Sequence, residues 1–166
     1  ITPNSPYDRY AKGDKSALTP AQVKGMEVFA STGCTACHSG AAFMGPKMPP
    51  GVPFLNKFPT FADNEFTKKY DLMADEGRKE VTGKASDAHM FKVPTLRNVA
   101  LTAPYFHNGA VKSLDEAVRV MAKTQLNKDL SESDVNSIVT FLGALSGEFP
   151  EQKMPRLPGA PGTSAH

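Results

Sequence analysis

Cys34-Thr35-Ala36-Cys37-His38 is the stretch on which the reading of this chain turns. Two thiols separated by two residues, with a histidine directly after, form the attachment pattern of c-type haem. The spacing has a chemical cause. Both thiols add to vinyl groups on one edge of the ring, and the next residue swings its imidazole beneath the iron as proximal ligand. A histidine in that role binds through a neutral ring nitrogen while the other nitrogen donates to a nearby carbonyl. Other readings of the motif are weaker. A redox dithiol asks for a thioredoxin-like context of strands and helices. Zinc would need a further ligand from His89, His107 or His166, and no second Cys or His pair stands at zinc spacing. A disulfide across two intervening residues is strained.

Outward from the motif, composition narrows the class. The chain has 166 residues, 40% hydrophobic and 22% charged, with 19 Lys+Arg against 17 Asp+Glu and a formal net charge of +2. These values describe one soluble globular domain. The mixed-sign charge excludes a nucleic-acid footprint, which needs a clustered basic surface. The longest apolar stretch, Ile138 to Leu145, is interrupted by Thr140 and Gly143. It falls far short of the roughly 20 residues of a membrane span. The chain opens on Ile1 without a basic start and apolar signal region, so it is expected to be a processed product or a piece of a longer protein.

Three segments carry helix signals. Thr19-Pro20-Ala21-Gln22 supplies a capping box with proline in the first turn, followed by Val23, Met26 and Phe29 and a stop at Gly33. Ser113-Leu114-Asp115-Glu116 reads as a second capping box, with Leu114, Ala117, Val118 and Met121 at helical spacing. Ser131-Glu132-Ser133-Asp134 opens a third helix, expected to stop at Gly147. Pro46 to Pro59 reads as loop, and the tail from Gly147 onward as extended. No strand alternates over five residues. The expected fold is therefore all-α: a class I cytochrome c-like domain, its few helices and long loops wrapped around one covalent haem. Long loops in a compact domain point to function or a non-protein core, and burying roughly 400 Å² of haem would contribute on the order of 10 kcal/mol.

The sixth iron ligand decides the chemistry. A methionine sulfur closes the site and raises its potential, whereas an open position admits peroxide. Met44, Met48, Met73, Met90, Met121, Met154, His89 and His107 are all candidates, and spacing does not choose among them. Met121 on the apolar face of the second helix reads equally well as core filler. His107, between Phe106 and Asn108, reads equally well as a hydrogen-bonded neighbour of the site.

Phe91-Lys92-Val93-Pro94-Thr95-Leu96-Arg97-Asn98-Val99-Ala100-Leu101-Thr102-Ala103-Pro104-Tyr105-Phe106-His107-Asn108-Gly109 resembles the most recognisable segment of the bacterial di-haem cytochrome c peroxidases. The likeness continues through Leu114-Asp115-Glu116-Ala117-Val118 and Val120-Met121-Ala122-Lys123-Thr124-Gln125-Leu126, with Ala122 where the family usually has glycine. The resemblance implies that Met121 is the distal ligand of an electron-transfer haem, with His38 across the iron and Cys34 and Cys37 as the thioether residues. It implies residues 1–18 as an interdomain linker, 19–147 as the cytochrome c domain and 148–166 as an extended tail. Only one attachment motif is present, so the chain resembles the C-terminal electron-transfer half, with the catalytic peroxidatic haem in an N-terminal domain outside it. The family also implies a calcium ion between the domains, bound partly by the backbone carbonyls of Thr102 and Pro104. Arg97 is a candidate propionate partner, with solvation as the alternative. Further implications are a periplasmic location, a small donor cytochrome c or cupredoxin docking weakly at the haem edge, and a homodimer in the full-length protein. The competing function is a free-standing monohaem electron carrier without enzymatic activity. A third, protein modification through high-valent haem, implies a distal tyrosine where this chain has Met121.

Overall fold

A computed structural model describes residues 2–151. Its helices are α1 (Pro6–Ala11), α2 (Pro20–Thr32), α3 (Glu65–Lys69), α4 (Lys79–Thr82), α5 (Leu114–Leu126) and α6 (Glu132–Gly143), linked by loops and three short 3-10 turns. α2 forms where its caps predict. The Thr19 hydroxyl accepts from the Gln22 N–H at 3.2 Å, the Gln22 side chain accepts from the Thr19 N–H at 3.0 Å, and Gly33 ends the helix at φ 107°. α6 likewise opens on Ser131, whose hydroxyl accepts from the Asp134 N–H at 3.1 Å.

Three expectations need correction. The fold is mostly helical but not all-α, because β1 (Leu55–Lys57) and β2 (Met90–Lys92) pair antiparallel, with Asn56 opposite Phe91. β1 lies inside the stretch read as loop. At three residues each, neither strand is long enough to display alternation. α6 ends at Gly143 with Ala144 as its cap, four residues before the expected stop. Gly147 serves a close approach instead: a Cβ there would lie 2.6 Å from the Thr2 carbonyl oxygen and 2.7 Å from that of Pro3. Finally, Ser113 precedes α5 without its side chain accepting from a helix amide.

Two apolar clusters organise the molecule. α2 crosses α6 so closely at Gly25 that a Cβ would collide with the Ser137 carbonyl and stand 2.9 Å from the Phe141 Cβ. Val28, Phe29, Phe43, Ile138, Phe141, Leu142 and Leu145 are buried there. Phe43 meets Tyr7 and Phe141 edge-on, with ring centroids 5.0 and 6.0 Å away. This is the favoured geometry for aromatic quadrupoles. α1 lies in the stretch read as a linker and packs on this cluster. The Tyr7 N–H donates to the Ala144 carbonyl at 3.1 Å, and Ser5 and Asp8 form a reciprocal capping box. The second cluster buries Phe58, Leu72, Val111, Ala117 and Val120 between loops and α5. Among the described residues, no helix is long and apolar enough to cross a membrane.

Candidate haem site

Between the two clusters lies a cavity of about 480 Å³, within the size range of small-molecule and cofactor sites. Phe29, Ile138 and Leu142 line it from the first cluster, and Phe58, Ala117 and Met121 from the second. Cys34, Cys37 and His38 all open onto it.

The attachment motif follows from the end of α2. Gly33, in the left-handed region, turns the chain into a 3-10 turn over Cys34–Ala36, and the His38 N–H closes it on the Cys34 carbonyl at 2.9 Å. His38 is buried, with Nδ1 3.1 Å from the Phe43 carbonyl oxygen. A carbonyl only accepts, so Nδ1 carries the proton and Nε2 keeps its lone pair, which is the tautomer an iron ligand needs. Burial favours the neutral ring and pushes the imidazole below its ordinary pKa, partly offset by the Phe43 hydrogen bond. Phe43 sits at φ 51°. For a bulky residue this costs of order 1–3 kcal/mol and persists only where the surroundings impose it.

Both cysteines are free thiols. Burial pushes the Cys34 thiol up to about 11. β1 brings Asn56 to Cys37, and its amide Nδ2 donates to Sγ at 2.9 Å. The residues present fit a covalent haem: two thiols and a neutral imidazole on the cavity wall, in an apolar chamber. Among the described residues, Met121 is the methionine on its wall. Met44, Met48, Met73 and Met90 are not among its lining residues, and Met154 lies outside the described residues, as does His166.

Of the candidate histidines, His107 lines the cavity, stacked on Phe91 with ring centroids 4.7 Å apart. His89 does not; its Nδ1 lies 3.1 Å from the Asp75 carbonyl oxygen. Thr102 and Pro104 are also at the cavity wall. Among the described residues no group of three or more His, Cys, Asp or Glu side chains is placed to hold a metal.

Arg97 departs from its sequence reading. It does not line the cavity; its guanidinium binds Asp8 at 2.8 Å and the Ser5 hydroxyl at 2.9 Å. Its side chain is only 13% exposed. Phe43 and Asn56, which hold His38 and Cys37, escaped the sequence reading altogether. A left-handed φ at phenylalanine has no sequence signal, and Asn56 acts across 19 residues through a strand of three.

No family model matches the chain. It is 39% identical to cytochrome c551 peroxidase of Nitrosomonas europaea over 95% of its own length and 44% of that protein. To cytochrome c551 peroxidase of Pseudomonas aeruginosa it is 42% identical over 99% of itself and 45% of the relative. To cytochrome c peroxidase Ccp of Escherichia coli the figures are 44%, 90% and 30%. Its fold is similar to that of a MauG-like protein associated with microbial copper homeostasis, with a TM-score of 0.66 at 24% identity, covering 87% of this chain and 52% of the other. The chain thus spans less than half the length of these three relatives. By that similarity, across nearly its whole length, the chain is a homologue of the bacterial cytochrome c peroxidases.

Proposed function

We propose that this chain is the electron-transfer domain of a di-haem cytochrome c peroxidase, built as a class I cytochrome c-like unit. It carries one haem c, attached through Cys34 and Cys37 and ligated by His38 and Met121. The observation that supports this best is the convergence of those four residues on one apolar cavity, with Nδ1 of His38 already committed to the Phe43 carbonyl.

When bound, such a haem supplies a one-electron couple. The chain's own residues set its character. The Nδ1–H···O=C bond fixes the imidazole tautomer and raises its basicity. A thioether from Met121 would complete the ligand set, favour the reduced state and leave no open site for peroxide. Apolar walls from Phe29, Leu142 and Phe58 keep water from the ring. In the whole protein, electrons enter from a small donor cytochrome c or cupredoxin in the periplasm. They pass to a peroxidatic haem in an N-terminal domain, where hydrogen peroxide is reduced to water. The Thr102 and Pro104 carbonyls contribute to a calcium site at the domain boundary, and the full-length protein is a homodimer.

Intact mass, spectroscopy and peroxide turnover of the haem-loaded chain test the reading. One haem, a six-coordinate low-spin iron and negligible turnover are expected. A five-coordinate high-spin iron with robust turnover would overturn it. A native polypeptide with a single Cys-x-x-Cys-His motif would instead identify a free-standing monohaem carrier.

A further inference from the structure

We propose that Arg97 is the positioning residue for the axial imidazole, acting through the backbone of residues 41–43. The inference rests on the haem reading above, because it concerns how His38 is presented to the iron. The carbonyl that receives the His38 Nδ1 proton belongs to Phe43, whose φ of 51° places it in the left-handed region. Something must hold a bulky residue there. The two carbonyls immediately before it are both gripped from one short segment. Arg97 donates to the Ala41 carbonyl through Nε at 2.9 Å and Nη2 at 2.6 Å, and the Thr95 hydroxyl donates to the Ala42 carbonyl at 2.6 Å. The Arg97 N–H in turn donates to the Thr95 hydroxyl at 3.1 Å, which joins the two grips.

The far side of the guanidinium is anchored as firmly. It forms the Asp8 ion pair at 2.8 Å and donates to the Ser5 hydroxyl at 2.9 Å. Its carbon lies 5.5 Å from the ring centroids of both Tyr7 and Phe43. The Arg97 side chain is only 13% exposed. A planar fork can meet the Ala41 carbonyl, the Asp8 carboxylate and the Ser5 hydroxyl together; an ammonium on a flexible stem cannot hold that geometry. With the fork gone, the 41–43 segment is free to relax at Phe43, and relaxation turns its carbonyl away from Nδ1. His38 then loses the acceptor that fixes its tautomer.

The test uses the full haem-loaded chain in its reduced state, reading exchange of the His38 Nδ1 proton by NMR together with the reduction potential. In Arg97→Lys the proton should exchange faster than in the unaltered chain, and the potential should rise as the imidazole becomes less basic. Thr95→Val, a milder loss of the same grip, should move both in the same direction and carries the test where Arg97→Lys does not fold. Ser131→Ala removes the cap of α6 and should lower stability while moving neither readout. Unchanged exchange and potential in Thr95→Val and in folded Arg97→Lys, with haem bound and His38 ligated, would overturn the assignment. Failure of the unaltered chain to take up haem through Cys34 and Cys37 would instead overturn the functional reading, and the inference with it.

Discussion

The two walls of the cavity hold their residues by different physics. On the His38 side, position comes from directional bonds, Nδ1 to the Phe43 carbonyl and Arg97 Nε to the Ala41 carbonyl, backed by interlocked rings of Tyr7, Phe29, Phe43 and Phe141. On the Met121 side, no hydrogen bond among the described residues fixes the sulfur. α5 packs against Phe58, Leu72 and Val111, and side-chain shape sets where Met121 sits. The contrast follows from the donors. An imidazole has a second nitrogen through which the protein can orient it, whereas a thioether is soft and adaptable and is placed by packing. Damage to the first wall should therefore reach His38, and damage to the second should not.

The largest effect is expected from Phe141→Ala, which opens the ring cluster where Phe141 is 1% exposed. Denaturant unfolding should show a loss of about 3–5 kcal/mol, accompanied by faster exchange at His38 Nδ1, because Phe43 packs on the deleted ring. Leu72→Ala, in the opposite cluster and fully buried, should cost about 2–5 kcal/mol while leaving that proton protected. Equal disturbance of His38 by both substitutions would erase the distinction between the walls.

A smaller effect concerns acid stability, where each wall offers a partly buried carboxylate with a lowered pKa. The Tyr70 hydroxyl and Lys69 hold Glu116 below its ordinary pKa against the opposing effect of burial. Burial alone would raise the Asp8 carboxyl, but hydrogen bonds from Ser5 and Arg97 and the Arg97 charge outweigh it and hold it low. A carboxylate with a lowered folded-state pKa contributes stability that is complete above its unfolded pKa and is lost as pH falls through the folded value. Glu116→Gln and Asp8→Asn should each flatten the acid limb of the stability curve, and only the second should alter His38 as well. Unfolding curves from neutral pH down through the carboxylate range check both.

What the sequence disclosed was local. The attachment motif is fixed by covalent chemistry over five residues, and the caps at Thr19 and Ser131 act over three, so each could be read from neighbours alone. The second wall was accessible only through the resemblance that named Met121, since a methionine on an apolar helix face has no distinguishing spacing. The supports of His38 were hidden for another reason. Arg97 acts on Ala41 across 56 residues and on Ser5 across 92. Gly147 looks like a helix stop from its neighbours alone, whereas its role, a close approach to Thr2 and Pro3, is equally non-local.

Under the proposed ligation, Met121 completes the site that His38 begins. The long-wavelength absorption spectrum of the ferric, haem-loaded chain tests it most directly. The sulfur-to-iron band should be present in the unaltered chain and absent in Met121→His, with a lowered reduction potential in that variant. A chain lacking the band from the outset, or a Met121→His variant that retains it, would rule out methionine as the ligand.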